Sequence, residues 1–195
     1  MSVAARLRRL DAHATIEVFE RSGNVSFANC GLPYYVGGVI EDEEDLTLQT
    51  PQQLFDRFRL DVHVLSEVTS IDPGAHSVTV RSVVDGTERT VGYDTLVLST
   101  GAAPVRPPIP GYDRVRTLRT VEDAALLASD AGGGQQTAVV IGAGFIGLEV
   151  AENLARNGLQ VTIVEAAPQV LPPLDAELAV LVFDELVRNG VSVEV

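Results

Sequence analysis

Cysteine, methionine and tryptophan are nearly absent from this 195-residue chain, which has one Cys, one Met and no Trp. The single thiol, Cys30, cannot close an internal disulfide. If it is a redox centre, its partner is a small-molecule thiol, an oxygen species or another chain. Positive charge is scarce as well: 14 Lys and Arg against 27 Asp and Glu give a net charge of −13. Such a surface repels phosphate backbones and anionic bilayers, so neither nucleic acid nor a membrane is an expected partner. No apolar run approaches the roughly 18 residues that span a bilayer, and the first residues show no basic-then-apolar signal pattern. The default expectation is a cytoplasmic location, where a lone thiol stays reduced unless it is used.

What is present reads as α/β alternation with an all-strand interlude. Val3, Leu7 and Leu10 recur at helical spacing, predicting a helix over 2–10 with one buried stripe and with Arg6 and Arg9 on another face. A strand is expected over 14–20, ending on Glu20 before the Ser22-Gly23-Asn24 break. The acidic run Glu41–Asp45 lacks the spacing of a cation loop and reads as solvated, so no metal is expected. Between 61 and 99, Asp72-Pro73-Gly74 and Asp85-Gly86 separate three β-rich stretches, an antiparallel meander whose last strand is Thr95–Ser99. That strand runs into Thr100-Gly101-Ala102. A helix near 121–129 then leads to the Gly132-Gly133-Gly134 linker.

After the linker comes the strongest motif. Thr137–Ile141 is a β-branched strand, and Gly142-Ala143-Gly144-Phe145-Ile146-Gly147 follows it and opens a helix to about Asn157. Gly158 ends that helix, and the strand Val161–Val164 closes on Glu165. This is the dinucleotide fingerprint in its required context. Gly142 permits the tight turn, Gly144 admits a pyrophosphate, and Gly147 lets helix and strand pack. The helix N-terminus offers N–H groups and a positive dipole end. Glu165 is placed for a ribose 2′-hydroxyl, and positions 166–170 contain no Arg or Lys to receive a 2′-phosphate. NADH is therefore favoured, with NADPH as the alternative. The bland alternative, a glycine turn that binds nothing, has strand, spacing, helix and acidic residue together against it.

The ordered set of Ala5–Leu10, Val18-Phe19-Glu20, Ser26-Phe27-Ala28-Asn29-Cys30-Gly31-Leu32-Pro33, Tyr93–Ala102 and the glycine fingerprint resembles the single-cysteine branch of the flavin-dependent pyridine nucleotide-disulfide oxidoreductases. The likeness is nearest to the coenzyme A-disulfide reductase group. It implies Rossmann-like FAD- and NAD(P)-binding units with the meander inserted: residues 1–131 as an FAD-binding part containing 61–99, and 135–195 as the first half of an NAD(P)H-binding domain. It also implies that hydride passes from NAD(P)H to FAD and that a mixed disulfide between Cys30 and coenzyme A is then reduced. A helix starting near Pro33 would favour the Cys30 thiolate.

By the same resemblance Ser26 and Asn29 bind the coenzyme A portion beside the disulfide, and Arg6 and Arg9 its charged ADP end, since arginine forks match phosphates. Glu20 takes the FAD ribose, Thr100, Gly101 and Ala102 pack near the flavin nucleotide, and the enzyme is a homodimer. The bland alternatives weighed against these roles are a structural cysteine, a polar turn, a solvated helix face and a strand-end charge. His13, His63 and His76 read as surface or loop residues. Family members place a strand and a glycine-rich loop before the first helix and continue well past the equivalent of Val195. Both units are therefore expected to be incomplete and the chain a fragment or mis-started reading frame. Two other readings stay open: an NADH oxidase or peroxidase cycling Cys30 through sulfenic acid, and a non-catalytic dinucleotide-binding remnant.

Overall fold

The computed structural model describes residues 1–195 and divides into two compact units, Met1–Phe27 with Thr47–Ala102 and Ala28–Leu46 with Ala103–Val195.

In the first unit, helix α1 (Ser2–Leu10) precedes strand β1 (Glu17–Phe19), helix α3 (Pro51–Phe58) and strand β2 (Asp61–His63). β1 and β2 pair in parallel, with Glu17 opposite Asp61 and Phe19 opposite His63. Ile16, Leu54 and Leu60 form the buried centre, against which Ala4, Val18, Phe58 and Val62 pack. Thr50 caps α3 reciprocally: its hydroxyl accepts from the Gln53 N–H, and the Gln53 side chain accepts from the Thr50 N–H.

The predicted helix forms, but its predicted buried stripe does not. Val3, Leu7 and Leu10 are 54%, 41% and 69% exposed. Ala4 faces the core instead, and Arg8 fixes the helix by donating to the Phe58, Arg59 and Ala12 carbonyls at 2.8, 3.0 and 2.9 Å. A small alanine permits the close approach, while the arginine satisfies carbonyls left open at the ends of α1 and α3.

The meander is shorter than predicted. Strands β3 (Ser66–Asp72), β4 (Ser77–Ser82) and β5 (Glu88–Gly92) form the antiparallel sheet. Residues 61–63 belong to the parallel pair, because Leu65 at φ 52° turns the chain between β2 and β3. The predicted turns hold. Asp72 Oδ1 accepts from the Gly74 and Ala75 N–H groups, and Asp85 Oδ1 from Thr87 N–H and Oγ1. Thr95–Ser99 is not a strand, and Val97 and Leu98 are exposed. High β-propensity does not make a strand without a neighbouring backbone to pair with.

In the second unit a 3₁₀ turn at Asn29–Gly31 runs into the short helix α2 (Leu32–Val36), and a second 3₁₀ turn, Glu43–Leu46, replaces the predicted acidic loop. Its acidic side chains are solvated as expected while Leu46 is fully buried. Helix α4 (Val121–Gly132) follows, longer than predicted, with a Thr120/Asp123 capping box. Then come strand β6 (Thr137–Ile141), helix α5 (Phe145–Arg156), strand β7 (Gln160–Val164), helix α6 (Ala176–Arg188) and strand β8 (Ser192–Glu194). β6, β7 and β8 form a parallel sheet in that order. α5 buries Val150, Ala151, Asn153 and Leu154. α2 packs on both α4 and α5, and the Asn157 side chain donates to the Val36 carbonyl at 3.2 Å. Packing thus groups residues 28–46 and 103–131 with the glycine fingerprint, whereas the resemblance assigns them to the FAD-binding part. No helix is long and apolar enough to cross a membrane.

Candidate nucleotide and thiol sites

The glycine loop follows β6 directly, and each glycine has its own reason. Gly142 sits at φ 102°, a conformation side chains resist. A Cβ on Gly147 would overlap the Gly142 carbonyl oxygen and lie 3.5 Å from Val140 Cγ1, so α5 can sit on β6 only with glycine there. Around Gly144 nothing lies within 4 Å of where a Cβ would be, which leaves approach to the loop open. Gly144 is also the N-cap of α5, with no side-chain cap and no acidic residue in the first turn. The first-turn N–H groups, including those of the exposed Phe145 and Ile146, therefore have no intrahelical acceptor. Open space, uncapped donors and a positive dipole end fit a dinucleotide pyrophosphate.

Glu165 does more than its sequence position indicates. Its Oε2 accepts from the Ala143 N–H at 2.6 Å and its Oε1 from the Ala167 N–H at 2.8 Å. The carboxylate therefore braces the glycine loop from the end of β7. These backbone N–H groups, Ala143 foremost, hold its pKa below the usual carboxylate value. Each oxygen keeps a second lone pair for a ribose hydroxyl. Ala143 itself is buried, and its carbonyl accepts from the Leu171 N–H at 2.9 Å. One N–H of the loop is thus committed to Glu165, leaving those of the α5 first turn to face a ligand.

Cys30 lies at the middle of the 3₁₀ turn and is exposed, so it is not a structural core cysteine. Asn29 precedes it in the same turn, also exposed. The Arg119 side chain reaches across from the start of α4 and donates from Nη1 to Asn29 Oδ1 at 3.3 Å. Sequence reasoning missed Arg119 because 90 residues separate the pair. Only the Thr120-x-x-Asp123 capping pattern signalled that a helix begins beside it. Gly31 packs within 3.0–3.4 Å of Leu46, Ile40 and Ala28 measured from its notional Cβ, so the turn fits closely over its support.

In the first unit Glu20 directly follows β1, one residue past the strand's end, and its Oε1 accepts from the Ser22 N–H and hydroxyl at 2.7 and 2.8 Å. Neither bond uses Oε2, which suits a ribose hydroxyl. Thr100, Gly101 and Ala102 are exposed, with Gly101 at φ 70°. Ser26 lines an open hollow with Ser2, Ala5, Gln49, Arg57 and Phe58, while Arg6 and Arg9 lie exposed on α1 and do not line it. Arg57 is a basic residue beside Ser26 that the sequence pattern did not single out.

The histidines separate. His13 is exposed. His76 is exposed at φ 50° and stacks on Tyr93 at 5.6 Å. His63 differs from the surface-or-loop expectation: it sits half-buried in β2, stacks on Phe19 at 5.1 Å, and has Nε2 3.4 Å from Asp61 and 3.6 Å from Glu17. The parallel register of β1 and β2 creates that grouping.

Comparison with known proteins identifies the family. The family profile described as pyridine nucleotide-disulphide oxidoreductase matches residues 1–195. A coenzyme A disulfide reductase of Staphylococcus epidermidis is 36% identical over 190 residues, covering 97% of this chain and 43% of that protein. An NADH oxidase of Methanocaldococcus jannaschii is 37% identical over 198 residues, covering 99% of this chain and 44% of that protein. The crystal structure of reduced Bacillus anthracis CoADR-RHD superposes with a TM-score of 0.95 at 43% identity, over 99% of this chain and 35% of that one. The chain thus spans less than half the length of these relatives.

Proposed function

The chain belongs to the pyridine nucleotide-disulphide oxidoreductase family, and on that premise we propose that it serves an FAD-dependent NAD(P)H oxidoreductase that reduces coenzyme A disulfide, or a related disulfide or persulfide, through Cys30. The observation that carries the reading is the exposed Cys30, in a turn flanked by Asn29 and within the same compact unit as the glycine loop. The Cys30 thiolate attacks one sulfur of the substrate disulfide; that S–S bond breaks, one coenzyme A thiolate leaves, and a mixed disulfide forms. FAD, when bound, supplies the two electrons that NADH donates for reducing that mixed disulfide.

The residues divide by role. Gly142, Gly144, Gly147 and the α5 first turn at Phe145 and Ile146 hold the NADH pyrophosphate, with Ala143 and Glu165 fixing the loop and Glu165 reaching the ribose. Glu20, Thr100, Gly101 and Ala102 serve FAD, so residues 1–131 contribute to the flavin side and 135–195 to the nicotinamide side. Ser26, Asn29, Arg6 and Arg9 serve the coenzyme A moiety. The location is the cytoplasm and the assembly a homodimer.

A second reading draws on the NADH oxidase likeness: Cys30 would cycle through sulfenic acid with oxygen or peroxide as acceptor. One set of assays on the purified chain supplied with FAD and NADH separates these. A retained flavin absorbance band with NADH consumption driven by coenzyme A disulfide, abolished in Cys30→Ser, is the expected result. Consumption driven by peroxide and not by the disulfide favours the second reading. NADH binding without flavin retention reduces the chain to a non-catalytic dinucleotide-binding module.

A further inference from the structure

Asn29 Oδ1 is the atom that faces Arg119 Nη1, at 3.3 Å. A guanidinium has five donors and no acceptor, so the amide atom it meets is oxygen. The Asn29 NH₂ group is consequently the end left for other partners.

Arg119 is held where this matters. Its own N–H donates to Asp123 Oδ2 at 2.9 Å, and the same oxygen accepts from the Thr120 N–H at 3.2 Å. The Asp123 N–H returns a bond to Thr120 Oγ1 at 3.2 Å, closing the capping box of α4. The α4 start is anchored by Val121 and Ala124, both fully buried, and α4 packs against α2, the helix that continues from the Cys30 turn. The backbone of Arg119 and the Cys30 turn are thus fixed relative to one another within one unit.

We propose that Arg119 is a positioning residue that locks Asn29 as a hydrogen-bond donor beside Cys30, and that the substrate group it serves is an acceptor, the amide carbonyl of a pantetheine arm next to the disulfide. The inference rests on the reading of Cys30 as the nucleophile and Asn29 as a substrate contact. It adds the polarity of that contact and the residue that sets it. Without Arg119 the amide rotates between its two orientations, one of which aims Oδ1 at the substrate carbonyl, oxygen against oxygen.

Thiol–disulfide exchange needs no external oxidant or reductant, so the test requires neither flavin nor NADH. Cys30 thiolate forms a bond to one sulfur of a symmetric disulfide, the disulfide bond breaks, and one thiolate departs. Mass spectrometry follows the mixed disulfide on the purified chain with two uncharged disulfides: pantethine, which carries the pantetheine amides, and bis(2-hydroxyethyl) disulfide, which has none. Neither bears phosphate, so a general attraction of Arg119 for anions does not enter. For the wild type, exchange with pantethine is expected to be faster. In Arg119→Met the pantethine rate should fall roughly fivefold, the scale of one hydrogen bond lost, while the hydroxyethyl rate stays within about twofold. Arg119→Lys, which keeps a donor, should recover part of the pantethine rate. Equal slowing with both disulfides, or an unchanged pantethine preference in Arg119→Met, overturns the positioning role. A wild type with no pantethine preference overturns the substrate reading, and this inference with it. Far-UV circular dichroism on each variant shows that α4 is retained.

Discussion

A carboxylate that accepts two backbone N–H bonds is stabilised in its charged form, and Glu165 accepts from Ala143 and Ala167. Its pKa in the folded protein lies below the usual value near 4.5, with the Ala143 N–H as the largest cause. A group whose pKa is lowered by folding contributes stability above its unfolded pKa and loses it as pH falls through the folded one. Replacing Glu165 by Gln removes the charge and keeps the shape. The melting temperature of wild type should exceed that of Glu165→Gln near pH 6, and the gap should close as pH falls below about 4.5. Dilute-solution thermal scans of both proteins between pH 6 and 3 check this, and a gap that stays constant or widens in acid refutes the bracing role. On the proposed ribose contact, the same substitution should weaken NADH more than NADPH, since only NADH offers a 2′-hydroxyl to the carboxylate. Sequence position suggested the ribose contact. The brace was not legible, because it depends on how far the loop folds back over the end of β7.

At the scale of the element, glycine placement controls the site. The notional Cβ of Gly147 collides with the Gly142 carbonyl, whereas that of Gly144 meets nothing. The two glycines of one motif therefore predict opposite behaviour. Gly147→Ala must displace backbone, a change that costs about 1–3 kcal/mol by the usual scale of overpacking, and should lower the melting temperature. Gly144→Ala should cost less, about 0.5–1 kcal/mol from the poorer N-cap alone, while weakening NADH at least several-fold, because the methyl occupies space open to the proposed pyrophosphate. Denaturant titrations and NADH fluorescence titrations of the two variants separate the effects. Equal destabilisation of both would show that neither glycine is there for the ligand.

These elements were legible because their signals are local. The β6 strand, the glycine turn, the α5 helix and Glu165 all fall within 29 consecutive residues, and each has a short-range physical cause. The β-turns at Asp72 and Asp85 were legible for the same reason. What sequence could not supply was partner choice. Val3, Leu7 and Leu10 have the right period for a buried stripe, yet the packing of Ala4 and the reach of Arg8 turn them outward. The stretch 61–63 has the character of a meander strand, yet it pairs in parallel with β1 across more than 40 residues. Thr95–Ser99 has strand composition and no ladder. Arg119 and Asn29 meet by the same kind of long-range packing, with no periodicity or motif to announce it.

Over the whole molecule, charge is the dominant imbalance. A net charge of −13 on 195 residues repels itself in the compact state, and this penalty falls as salt screens it. Opposing it are a few exposed ion pairs, among them Arg81 with Glu67 at 2.6 Å and Arg116 with Asp130 at 2.9 Å. Exposed pairs of this kind are worth about 0–1 kcal/mol each and weaken in salt. The two effects pull in opposite directions. With 13 more acidic than basic side chains, the repulsion involves many more pairs of charges than the attraction does. The melting temperature should therefore rise by a few degrees between about 20 and 300 mM NaCl, a range over which the Debye length falls from roughly 20 to 6 Å. Calorimetry across that range decides the balance: a flat or falling trend would mean that local ion pairing, not net repulsion, governs the electrostatics of the fold. The site should respond differently. NADH is itself anionic, and the α5 first turn proposed to receive its pyrophosphate carries no acidic residue. Salt should thus stabilise the protein while strengthening NADH binding if the surrounding negative field reaches the loop, and weakening it if attraction to the α5 first turn dominates there; parallel NADH titrations at the same salt concentrations decide which.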